Sequence, residues 1–198
     1  MAVRDLGDRS LRSLIRDNLS LAEDPPTAAL IHRLRPTRRR GYLTKGELEA
    51  ICRWKSPRAI GRVRSNSHHR VREATATALA TKRERERLQA LIELQGVSVP
   101  TASAILTLLD PERYGVIDIR VWQVLHRLGV VIGNPAGTHF TVTQWECFLA
   151  LIRSFAGVFG VPVRDIERTL FLVHRKYQDG RLYGPQGGLR AVRPRHNP

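Results

Sequence analysis

The stretch of residues 94–118 constrains the fold most strongly, because two helical patterns meet in it at a tight turn. Apolar side chains in residues 82–94 lie three and four positions apart, which is typical of one face of a helix. Gly96 ends this pattern, since glycine adopts a positive φ without steric strain. Pro100 opens the next helix, where its missing N–H is no loss. The sequence therefore predicts two helices joined by a short hairpin over residues 82–109.

The predicted hairpin directs backbone N–H groups outward beside the start of its second helix. Oriented amides and the positive end of a helix dipole bind phosphate, so we identify a candidate DNA-backbone contact at Gly96, Val97, Ser98 and Thr101. Contacts of this kind hold DNA without reading its sequence. The alternative interpretation is an ordinary packing unit of two helices, because Gly followed by Pro is common at turns.

Asp118, in the segment 115–128, is the candidate catalytic residue. It follows the apolar residues Val116 and Ile117 and precedes a helical pattern, which places it as a helix N-cap. Capping does not exclude catalysis, because a helix N-terminus favours the ionised carboxylate. An ionised carboxylate is what a reaction through a cationic sugar transition state requires.

Together these two segments resemble the helix-hairpin-helix DNA glycosylase superfamily, to which endonuclease III belongs. Members carry a Leu-Pro-Gly-Val-Gly-x-x-Thr-Ala hairpin and, roughly twenty residues later, an apolar pair followed by the catalytic Asp; the match here covers about 35 residues. The resemblance implies an all-α glycosylase domain that excises a flipped base. The hairpin part of the match comprises Leu94, Gly96, Val97, Thr101 and Ala102, and the second part comprises Val116, Ile117, Asp118, Ile119, Arg120, Val121 and Trp122.

Three positions depart from the family pattern. Ser98 replaces the second hairpin glycine, which predicts a different or strained turn. Pro100 stands where bifunctional members carry a Schiff-base lysine, so the resemblance implies a monofunctional enzyme without the lyase step. The iron–sulfur cluster of several members needs four cysteines, and this chain has only Cys52 and Cys147, so we expect no such cluster.

The resemblance implies two further roles around the hairpin. Main-chain carbonyls of Ile92, Leu94 and Val97 would hold a monovalent cation, and no other cofactor is expected. Arg120, two residues into the helix that follows Asp118, would lie near the strand being cut and contact a phosphate.

The chain is strongly basic, with a formal net charge of +15 over 198 residues. Such a charge predicts a polyanionic partner, and we expect double-stranded DNA, with an acidic membrane surface as the rival. No amphipathic anchor and no apolar run of transmembrane length occurs, so we expect no membrane association. Arginine codon bias is a second explanation of the arginine content. The densest run is interpreted either as a solvated loop or as a contact to the DNA backbone, and comprises Arg38, Arg39 and Arg40.

Trp54 and Lys55 lie at a predicted junction between helices and are candidates for lining a base pocket. An aromatic ring in such a pocket stacks on the flipped base. The alternative for Trp54 is an ordinary core position. Lys55 is also the one lysine that we consider for a residual lyase activity, because its amine could attack the sugar.

The sequence predicts one helical domain over residues 1–178 and a basic flexible tail over residues 179–198. Capping-box sequences predict helix starts at Thr44, Thr81 and Thr143. Two cysteines without metal-site spacing, and an N-terminus without an apolar signal segment, favour an intracellular, cytoplasmic protein. We expect a monomer.

Two functional hypotheses from different classes follow from these patterns. The first is a monofunctional base-excision glycosylase that uses Asp118. The second is a helix-hairpin-helix DNA-binding module without chemistry, in which Asp118 is only a cap. The apolar–Asp segment at the family's distance from the hairpin favours the enzyme, because a binding module needs no buried carboxylate. RNA binding is a third hypothesis and is consistent with the charge alone.

Overall fold

In a computed structural model, the chain is described over residues 2–179 and 188–189. These residues form an all-α structure, which confirms the predicted fold class. A 3-10 turn (Pro57–Ala59) precedes α5, and two short antiparallel strands pair after the last helix, β1 (Gln178–Asp179) and β2 (Gly188–Leu189). The helices are α1 (Ala2–Asn18), α2 (Pro25–Leu34), α3 (Pro36–Arg40), α4 (Lys45–Lys55), α5 (Ile60–Arg64), α6 (His68–Ala80), α7 (Glu84–Ile92), α8 (Val99–Leu109), α9 (Ile119–Arg127), α10 (Val142–Phe159) and α11 (Val163–Tyr177).

Helix α8 lies at the centre of the core. Every residue in it except Pro100 is buried, and it packs against α2, α4, α7 and α10. A helix that is apolar on all sides is stable only when protein surrounds it. The second helix of the predicted hairpin is therefore held on several sides by neighbouring helices.

The hairpin between α7 and α8 forms as predicted, with Gly96 at a φ of 76°. A Cβ atom on Gly96 would lie 3.0 Å from the Arg62 Cβ and 3.0 Å from the Val63 backbone nitrogen. Glycine is therefore required by its φ and by the close approach of α5. Ser98 has φ −92° and ψ 171°, an ordinary extended conformation, so the predicted strain at this residue is absent.

The predicted capping boxes have different outcomes. Thr44 caps α4 together with Glu47, as predicted. Thr81 does not cap α7; Arg83 occupies the cap without a side-chain hydrogen bond. The Thr81 hydroxyl instead accepts a hydrogen bond from the Arg83 N–H at 3.2 Å, which holds a turn just before the helix.

The third predicted box is displaced by two residues. Helix α10 starts at Val142 and is capped by Thr141, whose side chain forms the box with Gln144. Thr143 lies inside the first turn of this helix. Thr141–Gln144 and Thr143–Glu146 both have the spacing of a box, and the first pair forms it, while Glu146 forms an ion pair with Arg85.

The arginine run does not form the predicted solvated loop, because it lies in helix α3. A proline at the first position and Gly41 in the left-handed conformation, with φ 80°, define the two ends of this helix. Arg38 forms an ion pair with Asp110 at 2.6 Å, and Arg40 forms one with Glu47. These two arginines thus connect α3 to neighbouring elements.

Helix α11 packs along α9 and α10. The predicted flexible tail at 179–198 lies outside the described residues, apart from the strand residues named above. Among the described residues, no single helix is long and apolar enough to cross a membrane; α10 and α11 pass that test only as a pair, and they are bent by 104°.

Candidate active site

Four segments that are distant in sequence converge on one cleft of about 710 Å³. They are the junction of α4 and α5, the hairpin with the first turn of α8, the start of α9, and the loop before α10. The predicted phosphate-binding hairpin and the predicted catalytic segment therefore share one cleft. The lining residues are 55–59 and 62, 92–98, 100 and 101, 118–120, and 137–140.

Asp118 is held at the start of α9 by its neighbours in sequence and by the core. Its Oδ1 accepts hydrogen bonds from the Arg120 N–H at 2.9 Å and the Val121 N–H at 3.1 Å, which confirms the predicted N-cap. The preceding Ile117 is fully buried, and its N–H donates to the Ser103 hydroxyl of α8 at 3.1 Å. The carboxylate is thus fixed relative to the central helix.

Lys55 provides the partner of the Asp118 carboxylate. Its Nζ donates to Asp118 Oδ2 at 3.0 Å, and the two side chains are only 15% and 10% exposed. Burial by itself raises the pKa of Asp118. The charge of Lys55, its hydrogen bond, the Val121 N–H and the charge of Arg120 together outweigh burial and lower that pKa. Asp118 is therefore ionised at neutral pH.

The first turn of α8 presents hydroxyl and amide groups to the cleft. Thr101 Oγ1 lies 3.3 Å from Ser98 Oγ and 3.4 Å from Ser56 Oγ. The N–H groups of Val99 and Thr101 belong to the first helical turn and have no acceptor within the helix. Hydroxyls and free amides at the positive end of a buried helix form a surface that suits an anion.

The charged residues around the cleft are mostly basic, which makes it attractive to a polyanion. Arg58 and Arg62 were not identified from the sequence. Their spacing of four residues places them on one side of the α5 region, but the sequence does not indicate that this side faces the hairpin. The basic residues in the lining are Lys55, Arg58, Arg62 and Arg120, and the acidic ones are Glu93 and Asp118.

Arg120 lines the cleft and is supported from behind by α11; its predicted contact with a phosphate stays a prediction. Its Cζ lies 5.3 Å from the centre of the Phe171 ring, within cation–π distance. Its Nε is buried without a hydrogen-bond partner among the described residues. The guanidinium is therefore held by packing and retains donor capacity.

Trp54 does not line the cleft. Its Nε1 donates to Thr27 Oγ1 at 2.8 Å, and the Arg164 Cζ lies 5.7 Å from its ring centre, so it packs between α2 and α11. The ring is partly buried and packs against the core, which agrees better with the alternative interpretation than with a base pocket. The residues of α3 also lie outside the cleft lining, namely Arg38, Arg39 and Arg40.

The three residues with predicted cation-binding carbonyls, Ile92, Leu94 and Val97, all lie along the cleft. The Leu94 carbonyl accepts the Val97 N–H at 3.1 Å and keeps its second lone pair. Among the described side chains, no group of three or more His, Cys, Asp or Glu residues is placed to hold a metal ion.

A second carboxyl group lies behind the segment that leads to Asp118. Glu167 of α11 is 1% exposed and forms an ion pair with Arg164, which also binds Glu23 at 2.8 Å. Burial raises the pKa of Glu167; Arg164 opposes this effect, and the negative charge of Asp118 adds to it. A Cβ atom on Gly115 would lie 2.8 Å from the Glu167 Cβ, so the segment that leads to Asp118 packs directly on α11.

In comparisons with known proteins, this chain matches no family model, no curated protein and no solved structure. The functional assignment therefore rests on the residues and geometry of the cleft.

Proposed function

We propose that this chain is a helix-hairpin-helix DNA glycosylase that hydrolyses the N-glycosidic bond of a damaged or mispaired nucleotide. The observation that carries the proposal is the buried, ionised Asp118 in the same cleft as the hairpin. A carboxylate that served only as a cap would need neither a buried lysine partner nor a cleft beside it. A volume of about 710 Å³ also lies within the range of pockets that hold one small ligand, roughly 300–1,000 Å³.

The hairpin is proposed to hold one phosphate of the damaged strand. The first-turn amides of α8 and the hydroxyls of Ser98 and Thr101 supply the donors, and Arg62 supplies positive charge across the turn. Gly96 lets the turn approach the α5 backbone closely. These contacts would fix the register of the duplex and leave the base free to rotate into the cleft.

The chemistry follows from the charge of Asp118. As the bond between C1′ and the base nitrogen lengthens, positive charge develops on the sugar, and a fixed carboxylate in a partly closed cleft stabilises it. A water molecule then adds to C1′ and loses a proton, while the base leaves with a proton, so the product is an abasic site. Lys55 would keep the carboxylate ionised and oriented. No lyase step is needed.

A second candidate activity is favoured by the position of Lys55. Its amine lies 3.0 Å from Asp118 Oδ2 and lines the cleft, although Pro100 provides no amine at the family's usual position. A deprotonated Lys55 would add to the C1′ aldehyde of an abasic site and release water to form an imine. Loss of a C2′ proton would then break the bond from C3′ to its phosphate.

The test uses duplexes that carry uracil, thymine opposite guanine, 8-oxoguanine, adenine opposite 8-oxoguanine, or an alkylated purine. Each is incubated with the wild type or with Asp118→Asn, which preserves a good N-cap, and thermal unfolding checks that the variant is folded at the assay temperature. We expect cleavage of at least one duplex only after alkali treatment, and a loss of at least about a hundredfold in rate for the variant. DNA affinity should change little.

The remaining outcomes separate the alternatives. Strand cleavage without alkali, with borohydride trapping of an abasic duplex that Lys55→Arg abolishes, would assign the lyase activity to Lys55. Equal DNA binding by both proteins with no excision of any base in the panel would instead support the non-catalytic binding module.

A further inference from the structure

The loop between α9 and α10 has a fixed shape. The Trp122 Nε1 donates to the Asn134 carbonyl at 2.9 Å, and the Trp122 ring meets the Phe140 ring edge-on at 5.2 Å. The Asn134 amide donates to the Thr138 carbonyl at 2.8 Å and accepts the Thr138 N–H at 3.3 Å. Residues 137–140 are thus held in place where they form one wall of the cleft.

Within this loop, His139 adopts the left-handed conformation, with φ 52°, and its side chain is exposed. Asn134 shares this conformation, with φ 50°, but its two side-chain hydrogen bonds within the loop account for it. The His139 Nδ1 lies 3.3 Å from the hydroxyl of its neighbour Thr138. A contact between neighbouring residues does not stabilise the loop. It therefore does not account for a histidine at a positive φ, which glycine would adopt without strain. Residues kept in strained conformations are concentrated at functional sites.

The position of His139 indicates which part of a nucleotide it would meet. Gly137 packs against the start of α9, since a Cβ on it would lie 3.2 Å from the Ile119 carbonyl oxygen. The loop therefore abuts the helix end that carries Asp118. In the proposed function the hairpin holds a phosphate and Asp118 faces the sugar. The α4–α5 junction directs Lys55 at Asp118 and is proposed to direct Arg62 at the phosphate, so the opposite wall, with His139, is assigned to the base.

Resting on the proposed function, we propose that His139 contacts the extrahelical base and takes part in its selection. An imidazole ring offers one donor and one acceptor, which match the polar edge of a nucleobase, and its flat face can stack on the base. The fixed loop holds the ring in place before the substrate binds, which reduces the entropy lost on binding.

The test compares His139→Gly and His139→Asn, each combined with Asp118→Asn so that no base is lost during measurement. Binding is measured for the panel of base-containing duplexes above and for a duplex that carries tetrahydrofuran in place of the nucleoside. We expect about tenfold weaker binding of the preferred base-containing duplex by the glycine variant, and unchanged binding of the tetrahydrofuran duplex. Asparagine tolerates the same φ and keeps a donor and an acceptor, so it should restore part of the loss.

Thermal unfolding distinguishes a direct contact of His139 with the base from a role of His139 in the structure of the loop. Because glycine relieves the backbone strain, His139→Gly should leave Tm unchanged or raise it by up to about 4 °C. Ile132→Ala is the control, since Ile132 lies in the same loop, is 81% exposed and does not line the cleft. This substitution should change neither the affinity for the base-containing duplex nor that for the tetrahydrofuran duplex.

Two results would overturn the inference. One is equal binding of base-containing and tetrahydrofuran duplexes by the parent protein. The other is a lower Tm of His139→Gly with equal weakening of both duplexes, which would assign His139 to loop structure. Failure of the proposed glycosylase function would look different, because the wild type would excise no base while the base-dependent binding difference remained.

Discussion

At the scale of single residues, Lys55 and Asp118 place opposite charges in a site that is largely closed to water. Removing two charges from water costs free energy, which their attraction and the two backbone N–H bonds to Asp118 offset. If one partner is lost, the other remains as an unpaired buried charge. The pair should therefore respond to single and double substitution in different ways.

We predict that Lys55→Met lowers the free energy of unfolding by about 3 kcal/mol at pH 7, or about 6 to 12 °C in Tm. Combining it with Asp118→Asn should recover part of the loss, because the unpaired carboxylate is then absent. Thermal unfolding of the wild type, the two single variants and the double variant forms a double-mutant cycle. Arg83→Gln, in the exposed pair with Glu86, is the control and should have little effect. Additive losses in the cycle would show that the two charges are not coupled.

Local sequence predicts the capping role of Asp118 but not its pairing with Lys55. The role of Asp118 as a cap depends on residues two and three positions away, so local pattern suffices. Its pairing with Lys55 joins positions 63 residues apart and depends on how α4 packs. Trp54 and Lys55 were predicted to line one pocket, but neighbours on a helix point about 100° apart, and only Lys55 reaches the cleft.

At the scale of elements, the hairpin requires glycine for two separable reasons. Gly96 has a positive φ, and its missing side chain makes room for α5. Gly129, after α9, also has a positive φ, of 68°, but a Cβ atom there would project into open space, with no contact within 4 Å among the described residues. Comparing alanine substitutions at Gly96 and Gly129 therefore separates the cost of close packing against α5 from the cost of a positive φ.

We predict that Gly129→Ala lowers the free energy of unfolding by about 1 kcal/mol and that Gly96→Ala lowers it by about 2 to 3 kcal/mol. The added loss at Gly96 reflects displacement of α5 from the hairpin. Only Gly96→Ala should weaken DNA binding, because it alters the proposed phosphate contact. Urea unfolding and duplex binding would be measured on both variants. An equal loss of stability in the two would mean that the hairpin and α5 adjust without strain.

Most elements could be predicted, and the errors have a local cause. Spacing of apolar residues identifies α7, and the box at Thr44 identifies the start of α4. The starts of α7 and α10 differ from the predictions because Arg83 and Thr141 occupy the N-caps in place of Thr81 and Thr143. No sequence pattern places the 137–140 wall beside Asp118, since its contact with Ile119 is a tertiary one.

At the scale of the whole molecule, part of the arginine content holds elements together. Arg87, Arg164 and Arg168 are each at most 8% exposed. Arg87 donates to the Ala78 carbonyl at 2.7 Å, and Arg164 links α11 to Glu23 before α2. The planar guanidinium suits such multiple contacts better than an ammonium group does. A net charge of +15 therefore overstates the charge that is free to meet DNA.

The pH dependence of unfolding is also a property of the whole molecule. His174 of α11 is fully buried and its Nε2 lies 2.8 Å from the Gln123 Oε1 of α9. Burial and the positive charge of Arg120 lower the pKa of His174, and the negative charge of Asp118 opposes them. The resulting pKa is about 4, compared with an ordinary value of 6.5. The unfolded chain binds this proton more readily, so stability should fall as the pH decreases from about 6.5 to about 4.

We predict that His174→Gln, which keeps a hydrogen-bonding side chain, reduces the slope of unfolding free energy against pH in that window. Urea unfolding at several pH values would measure it. Asp118, whose pKa is lowered from 3.8, loses its contribution only at more acidic pH and should do so in both proteins. A slope that is identical in wild type and variant above about pH 4 would contradict a neutral buried His174.

The order in which the cleft is assembled has a consequence for synthesis of the chain. Lys55 leaves the ribosome well before Asp118, and the Phe171 ring that supports Arg120 leaves later still. A nascent chain that ends before α11 contains the hairpin residues but lacks the helix that supports Arg120 and packs on the segment leading to Asp118. If the proposed function holds, translation therefore delays base excision until nearly all the helices have been made, and the proposed phosphate contact is synthesised before the chemistry is complete.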